Sequence, residues 1–388
     1  MAQAIDVVIL GGGVVGCSVA YQLRRRGVTV MVLEPGAIGA QASSAATGLL
    51  SPYKLLGKPD DPYLALQRAS LALFPGLAVE LEELTGLSVD YHQTGCIRLA
   101  RIGQAGRLEA WAATWRSHGV EMAVLQGEEL ACVEPALSRA YQMGVSIACE
   151  PQVLAPAYMA TVARAAVLCG ARLVADCQVV AVDRDGSRVV AVRTAEGGVI
   201  ACGSLVLAAG AWSGLVGHEL LGLRLPVTPA NGQSLQVRQP GRALSHILFG
   251  EGIYLAPKTG GRLYVGATHE EIGFTPTVTA EGTARLLNAA RLLVPGLDGC
   301  VVERSWAGLR PATPDRRPVL GTAPGWENVA LACGHNSFGV LLSAITGTAI
   351  ADLVTSGSLP DVARPFGLAR FGSSSSACYT NRRHDLSA

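Results

Sequence analysis

Short apolar runs and longer helical periods alternate along this chain. Residues 7–10 form an unbroken apolar run, the pattern of a strand buried on both faces. Residues 14–26 put Val15, Val19 and Leu23 on one side, which predicts a helix, and residues 28–33 predict a second strand. Further helices are expected at 63–84, 108–118 and 158–169, with a strand, turn and strand across 88–101. Residues 172–183 and 188–194 read as strands joined by the turn Asp185-Gly186, and 205–209 as another buried strand. From about 225 to 303 the pattern turns β-rich. Residues 234–237, 253–257 and 262–266 predict antiparallel strands, the last two turned by Gly260-Gly261, before a helix at 278–293. The α/β pattern returns at Trp306.

This order implies an α/β protein, α+β overall: a Rossmann-like nucleotide-binding domain with an inserted, mostly antiparallel β substrate domain. The nucleotide-binding domain is expected to be discontinuous, built from 1–87, 151–224 and 305–370. The substrate domain takes 88–150 and 225–304. Residues 371–388, with four consecutive serines and two arginines, predict a disordered tail.

Composition narrows the class. A chain of 388 residues accommodates two domains, and 49% hydrophobic against 16% charged residues suits a well-buried core. The net charge is +1 and no polybasic run occurs, so no nucleic-acid partner is expected. Ten cysteines are scattered with no CxxC pair and no histidine at ligand spacing, which points to free thiols in a reducing cytoplasm and no metal site. Residues 7–23 follow Asp6 rather than a basic segment, and three consecutive glycines interrupt them, so they fail as a signal peptide. Residues 328–351 lack Asp, Glu, Lys and Arg and are long enough to span a bilayer. Their Gly334, His335, Asn336, Ser337 and Gly339 fit a strand, a turn and a buried helix better. A soluble cytoplasmic protein without membrane contact is therefore expected.

The first candidate chemistry lies between the first two strands. Gly11 permits a tight turn, Gly13 lets the backbone approach a pyrophosphate, and Gly16 lets the helix pack against the sheet. The helix N-terminus, with Val14 and Val15, offers free N–H groups and a positive dipole end. Glu34, followed by Pro35, stands where an acid accepts hydrogen bonds from ribose hydroxyls, which favours FAD or NAD over NADP. A glycine-rich turn in an unrelated α/β protein is the alternative.

Several separated motifs then agree. They are Gly11 to Gly16 with Glu34; Ala42-Ser43-Ser44-Ala45-Ala46-Thr47-Gly48-Leu49; Ala209-Gly210-Ala211-Trp212-Ser213; and Ile253-Tyr254-Leu255-Ala256-Pro257 leading to Gly261-Arg262-Leu263-Tyr264-Val265-Gly266-Ala267-Thr268. Trp306-Ala307-Gly308-Leu309-Arg310-Pro311 with Thr313-Pro314-Asp315, Gly334-His335, Gly339-Val340-Leu341-Leu342 and Thr346-Gly347 complete the set. With them the chain resembles the flavoprotein amine oxidases of the D-amino-acid oxidase family, and within it glycine oxidase of the thiamine-thiazole type, across roughly residues 1–366.

The resemblance implies non-covalent FAD, since Pro311 rather than a cysteine stands beside Arg310. It assigns the segment with Ala42, Ser43, Ser44, Thr47, Gly48 and Leu49 to the flavin and its phosphates, Val179 to the adenine, and Ala209, Gly210 and Trp212 to the nucleotide edge. Gly308, Gly334, His335, Asn336, Ser337, Phe338, Gly339 and Val340 would flank the flavin. Arg310 would grip a substrate carboxylate through a two-pronged ion pair; the residues equally allow a structural arginine paired with Asp315 or Glu303. Tyr254 would contact substrate, or serve as a core aromatic. Glycine oxidases usually carry an arginine after Gly-His where this chain has Ser337, so the pocket is expected to suit a bulkier or N-substituted amine. The implied reaction oxidises a Cα–N bond to an imine, with dioxygen as acceptor and hydrogen peroxide as product. A dehydrogenase, a tailoring oxidase of a larger amine and a non-catalytic flavin-binding protein stay open. Many members are homo-oligomers, so an assembly of identical chains is compatible with the resemblance.

Overall fold

In the computed structural model, which describes residues 5–54, 58–101, 103–238, 241 and 243–372, strand Ile5–Leu10 lies between Val30–Leu33 and Val199–Leu207 and is parallel to both. Every side chain of this strand except Asp6 is buried, as an unbroken apolar run requires. Helix Val14–Arg25 connects it to Val30–Leu33. Val329–Cys333 extends the sheet beyond Val199–Leu207, and Arg172–Val174 extends it beyond Val30–Leu33. Val319–Thr322 adds an antiparallel strand on the outside of Val329–Cys333. The hairpin Val179–Asp185 and Arg188–Thr194 joins Val199–Leu207 on an antiparallel register.

The second sheet also has eight strands, in the order Val301–Ala312, Thr228–Arg238, Arg262–Gly266, Ile253–Lys258, Ile247–Gly250, Cys96–Ala100, Met143–Ile147 and Ala123–Gln126. It is antiparallel except where Ile247–Gly250 meets Cys96–Ala100. The architecture is thus a Rossmann-like α/β region with an inserted, mostly antiparallel sheet.

Three local expectations are corrected. Residues 172–183 are two strands, because the chain leaves the parallel sheet at Asp176, a left-handed residue with φ 52°, whose N–H donates to the Gly36 carbonyl. The stretch 88–101 holds one strand; ahead of it His92 makes only an isolated bridge with Gln152, and Asp90 and Gly95 both take positive φ. The antiparallel sheet does not give way at Trp306. Val301–Ala312 pairs with Thr228–Arg238 through to Ala312, because that partner offers a continuous edge, so this sheet runs past the expected boundary at 304.

Two helices, Pro62–Thr85 and Asn336–Ser356, have the length and apolar composition to cross a membrane. The second lies in the core, its helical part Gly339–Ser356 packed between Val14–Arg25 and Pro62–Thr85. It approaches the first helix closely: a Cβ on Gly347 would lie 2.9 Å from the Ser18 carbonyl oxygen. The nine described cysteines are free thiols. Among the described residues no group of three or more His, Cys, Asp or Glu side chains is arranged to hold a metal ion. The tail expected to be disordered lies, from residue 373, outside the described residues.

Candidate active site

The glycine turn sits where the first sheet is tightest. Gly11 has φ +110°, and a Cβ there would overlap the carbonyl oxygen of Ala208; one on Gly16 would overlap the carbonyl oxygen of Gly11. These two glycines shape the turn and do not line the cleft beside it. Glu34 accepts from the Gly12 N–H at 2.8 Å and from the Gly36 N–H at 3.3 Å. The Val14 N–H donates to Ser43 Oγ at 2.9 Å.

An open cleft of about 160 Å³ lies beside this turn. Gly13, Val14, Val15, Ala42, Ser43, Thr47, Gly48, Leu49, Gly210, Tyr254, Gly308, Arg310 and residues 334–340 line it. Those last are Gly334, His335, Asn336, Ser337, Phe338, Gly339 and Val340. Of the other expected residues, Glu34 and Pro35 follow the second strand, Ser44 is in the short helix Ala42–Ala45, and Ala209 sits just past Val199–Leu207. Val179 starts the hairpin and packs on the apolar cluster beneath it, and the Trp212 ring lies 5.9 Å from Phe274; none of these lines the cleft. Ser51, Gly232 and Ser234 do line it and were not singled out from the sequence. A glycine inside a strand, as at Gly232, is the one signal that marks such a close approach.

Two helix N-termini open on this cleft. Neither Val14–Arg25 nor Gly339–Ser356 is capped by its own N-cap side chain or carries an acid in its first turn, although Ser43 Oγ takes the Val14 N–H of the first. The second helix begins at Gly339, after a 3-10 turn Asn336–Phe338, rather than directly at Gly334. Helix N-termini of this kind attract phosphate at one site and growing negative charge at another. Ser51 Oγ is buried on the cleft wall with no hydrogen-bond partner among the described residues. A Cβ on Gly48 would overlap the Val153 carbonyl, so the backbone there lies flush with its support. These features fit a long, flat ligand that carries phosphates.

Arg310 is the only charged side chain among the described residues that line the cleft. It donates from Nη1 to the carbonyls of Asn231 at 3.3 Å and Thr268 at 3.0 Å, and no carboxylate among the described residues pairs with it. The structural partners that the sequence left open are engaged elsewhere. Asp315 holds Arg370 at 2.8 Å, and Glu303 accepts from Gln236 and Arg238 at 2.7 Å each. Burial holds the Arg310 guanidinium below its ordinary range, opposed by Tyr254 and Glu270, and it stays protonated. Burial pushes the Tyr254 hydroxyl up, with Thr47, Arg310 and Ser234 pulling the other way. Ser337 is exposed at the rim and donates to Asn336 Oδ1 at 3.1 Å. The place of the expected second cation is therefore uncharged.

Two bases, His335 buried and Lys258 half-buried, carry a pH dependence. His335 bonds Thr346 Oγ1 through Nε2 at 3.0 Å, and burial drops its pKa to about 3. Lys258 donates to Gln152 Oε1 at 2.7 Å and to the Val153 carbonyl at 2.9 Å, and burial drops its pKa to about 7. Both bind a proton more readily in the unfolded chain, at pKa about 6.5 and 10.4. Stability then falls as pH drops from about 6.5 toward the folded value of His335, by up to about 1.4 kcal/mol per pH unit. It rises across the window between the folded pKa of Lys258 and about 10.4. Melting temperatures measured from pH 5 to 9 should show both slopes. His335→Gln should flatten the acid limb and Lys258→Met the alkaline one; variants that keep the wild-type slopes would contradict this assignment.

A Rossmann-like fold with a glycine turn, two helix N-termini on one cleft and, among the described residues, a single cationic side chain in its wall defines a dinucleotide-dependent oxidoreductase. The chain belongs to the FAD dependent oxidoreductase (DAO) family, whose model matches residues 6–353, and its cofactor is FAD. It is 36% identical over 373 residues to the glycine oxidase of Geobacillus kaustophilus, covering 95% of this chain and 98% of that one. It is 34% identical over 413 residues to the hydrogen cyanide synthase subunit HcnC of Pseudomonas aeruginosa, covering 96% and 97%. The crystal structure of the Geobacillus kaustophilus glycine oxidase superposes with a TM-score of 0.90 over 95% of this chain and 99% of that chain.

Proposed function

We propose that this protein oxidises the Cα–N bond of a small amino acid or related amine, giving an imine that water converts to an oxo acid and ammonia or an amine. The observation that supports this most is Arg310, a cation in the cleft wall that, among the described residues, only backbone carbonyls hold. A guanidinium so placed has its fork available for a carboxylate. FAD, when bound, supplies acceptance of the hydride from Cα and its delivery to dioxygen, which becomes hydrogen peroxide. Gly13, Val14 and Val15 would hold the phosphates at the first helix, with Ser43, Thr47, Gly48 and Leu49 along the cofactor's length. Gly339 and Val340 would present the second helix N-terminus to the end of the flavin that gains negative charge.

In this reading Arg310 orients the substrate, Tyr254 borders it, and no side chain acts as an obligatory base. Burial keeps His335 neutral and bonded to Thr346, in keeping with a supporting role. The relative named glycine oxidase makes glycine a candidate. The uncharged rim at Ser337 extends the candidates to N-substituted or bulkier amines carrying one carboxylate.

The test is anaerobic titration of the yellow protein with glycine, sarcosine, D-amino acids and secondary amines, followed by peroxide measurement in air. The expected result is bleaching by a carboxylate-bearing amine, with peroxide formed on aeration. Bleaching without peroxide would make the protein a dehydrogenase. No bleaching across the panel would make it a non-catalytic flavin-binding protein.

A further inference from the structure

Arg310 sits in a notch that one missing side chain creates. In the paired strands Thr228–Arg238 and Val301–Ala312, Arg310 stands opposite Ala230, and Gly232 stands opposite Gly308. The arginine side chain folds back to cover Gly232. A Cβ built on Gly232 would overlap Nη1, Nη2 and Cζ of Arg310, and these are the three heavy atoms nearest to it. Gly232 does not occupy the left-handed region, so its backbone accepts an L-residue. What collides is the far end of a flexible side chain and not the main chain. The seat of the guanidinium is thus two carbonyls, of Asn231 and Thr268, and the absence of a Cβ. Tyr254 is seated in the same manner: a Cβ on Gly266, which pairs with both Tyr254 and Ser234, would overlap the phenol oxygen.

We propose that residue 232 is a specificity-determining position: glycine there seats the Arg310 guanidinium against the sheet and leaves the space above it for a substrate carboxylate, and a side chain there turns the site away from carboxylate-bearing ligands. The proposal rests on the reading of Arg310 as the carboxylate anchor. Alanine at 232 lifts the guanidinium off both carbonyls. Because Gly232 itself lines the cleft, the displaced group enters the space that a carboxylate would fill. The main chain, including the pairing of Gly232 with Gly308, stays as it is, because only the end of a side chain has to move.

The experiment is a double-mutant cycle on the FAD-loaded protein with glycolate as the probe, its binding read from perturbation of the flavin absorbance. Gly232→Ala should weaken glycolate binding by about tenfold or more, the range of one charge-assisted hydrogen bond, while FAD stays bound. Arg310→Ala should weaken it at least as much, and the double variant should be no weaker than Arg310→Ala alone, the signature of two residues acting through one interaction. If Gly232→Ala binds glycolate like the wild type while Arg310→Ala does not, the anchor stands and this inference falls. If Arg310→Ala binds like the wild type, the anchor reading falls and takes the inference with it. Additive losses in the double variant would mean that Gly232 acts independently of Arg310, which also overturns it. Should Gly232→Ala fail to fold or to hold FAD, the double variant still decides. Without the guanidinium there is no collision, so it must recover the yellow holoprotein; failure to recover overturns the proposal.

Discussion

Arg310→Ala lowers kcat/KM for a carboxylate-bearing amine by about ten- to a hundredfold and leaves the flavin bound. The magnitude follows from the bond to the carboxylate that alanine cannot make: a hydrogen bond to a charged group contributes about 1.5–3 kcal/mol, and each 1.4 kcal/mol is about a factor of ten. The protein itself loses little, because among the described residues Arg310 makes two backbone hydrogen bonds and no ion pair. Arg310→Lys keeps the charge and gives up the fork, so it should fall between the two. The measurement is steady-state kinetics with the best amino acid of the panel, alongside the flavin content of each variant. An unchanged kcat/KM in Arg310→Ala would remove the carboxylate anchor from the mechanism.

Gly11→Ala should yield protein without flavin, with a melting temperature lowered by several degrees or more. Gly11 carries two constraints at once, φ +110° and a backbone neighbour where a Cβ would be, with the Ala208 carbonyl carbon at 2.7 Å and Ala209 Cα at 2.9 Å. That neighbour cannot yield. The Gly11 N–H is held by the Leu33 carbonyl at 2.9 Å, and the Ala208 N–H by the Leu10 carbonyl at 2.8 Å. Backbone strain of about 1–3 kcal/mol adds to overpacking of similar size, and both fall on the turn that starts the nucleotide site. Gly27→Ala is the control. Gly27 has φ +78° but open space around it, so alanine there costs only the strain and should retain FAD. Equal flavin loss in both variants would show that φ alone, and not the approach of Ala208, makes glycine necessary at 11.

Much of this architecture is legible in the chain because its signals are local. Residues 7–10 and 329–333 are apolar on both faces, and the first helix shows its period in Val15, Val19 and Leu23. Arg310 stands out as a charge within an apolar strand. What the pattern hides depends on partners remote in sequence. Gly232 gains its place beneath Arg310 only because the register with Val301–Ala312 sets Arg310 opposite Ala230, from where its side chain folds back over Gly232, and no local rule sets that register. Ser51 looks like any loop serine until the fold buries its hydroxyl on the cleft wall. The end of the antiparallel sheet at Ala312 is hidden for the same reason, since Trp306 to Pro311 are decided by the strand they pair with and not by their own composition.

The threading of the first sheet has a consequence for biosynthesis. Val199–Leu207 receives its outer neighbour, Val329–Cys333, only after the whole antiparallel sheet has been made. Until then Leu205, Val206 and Leu207 keep one unpaired apolar edge, the kind of surface that recruits other chains. The cleft is likewise unfinished until Gly339–Ser356 emerges and docks on Val14–Arg25. FAD therefore finds a complete berth only once Gly339–Ser356, more than 300 residues beyond the glycine turn, has docked.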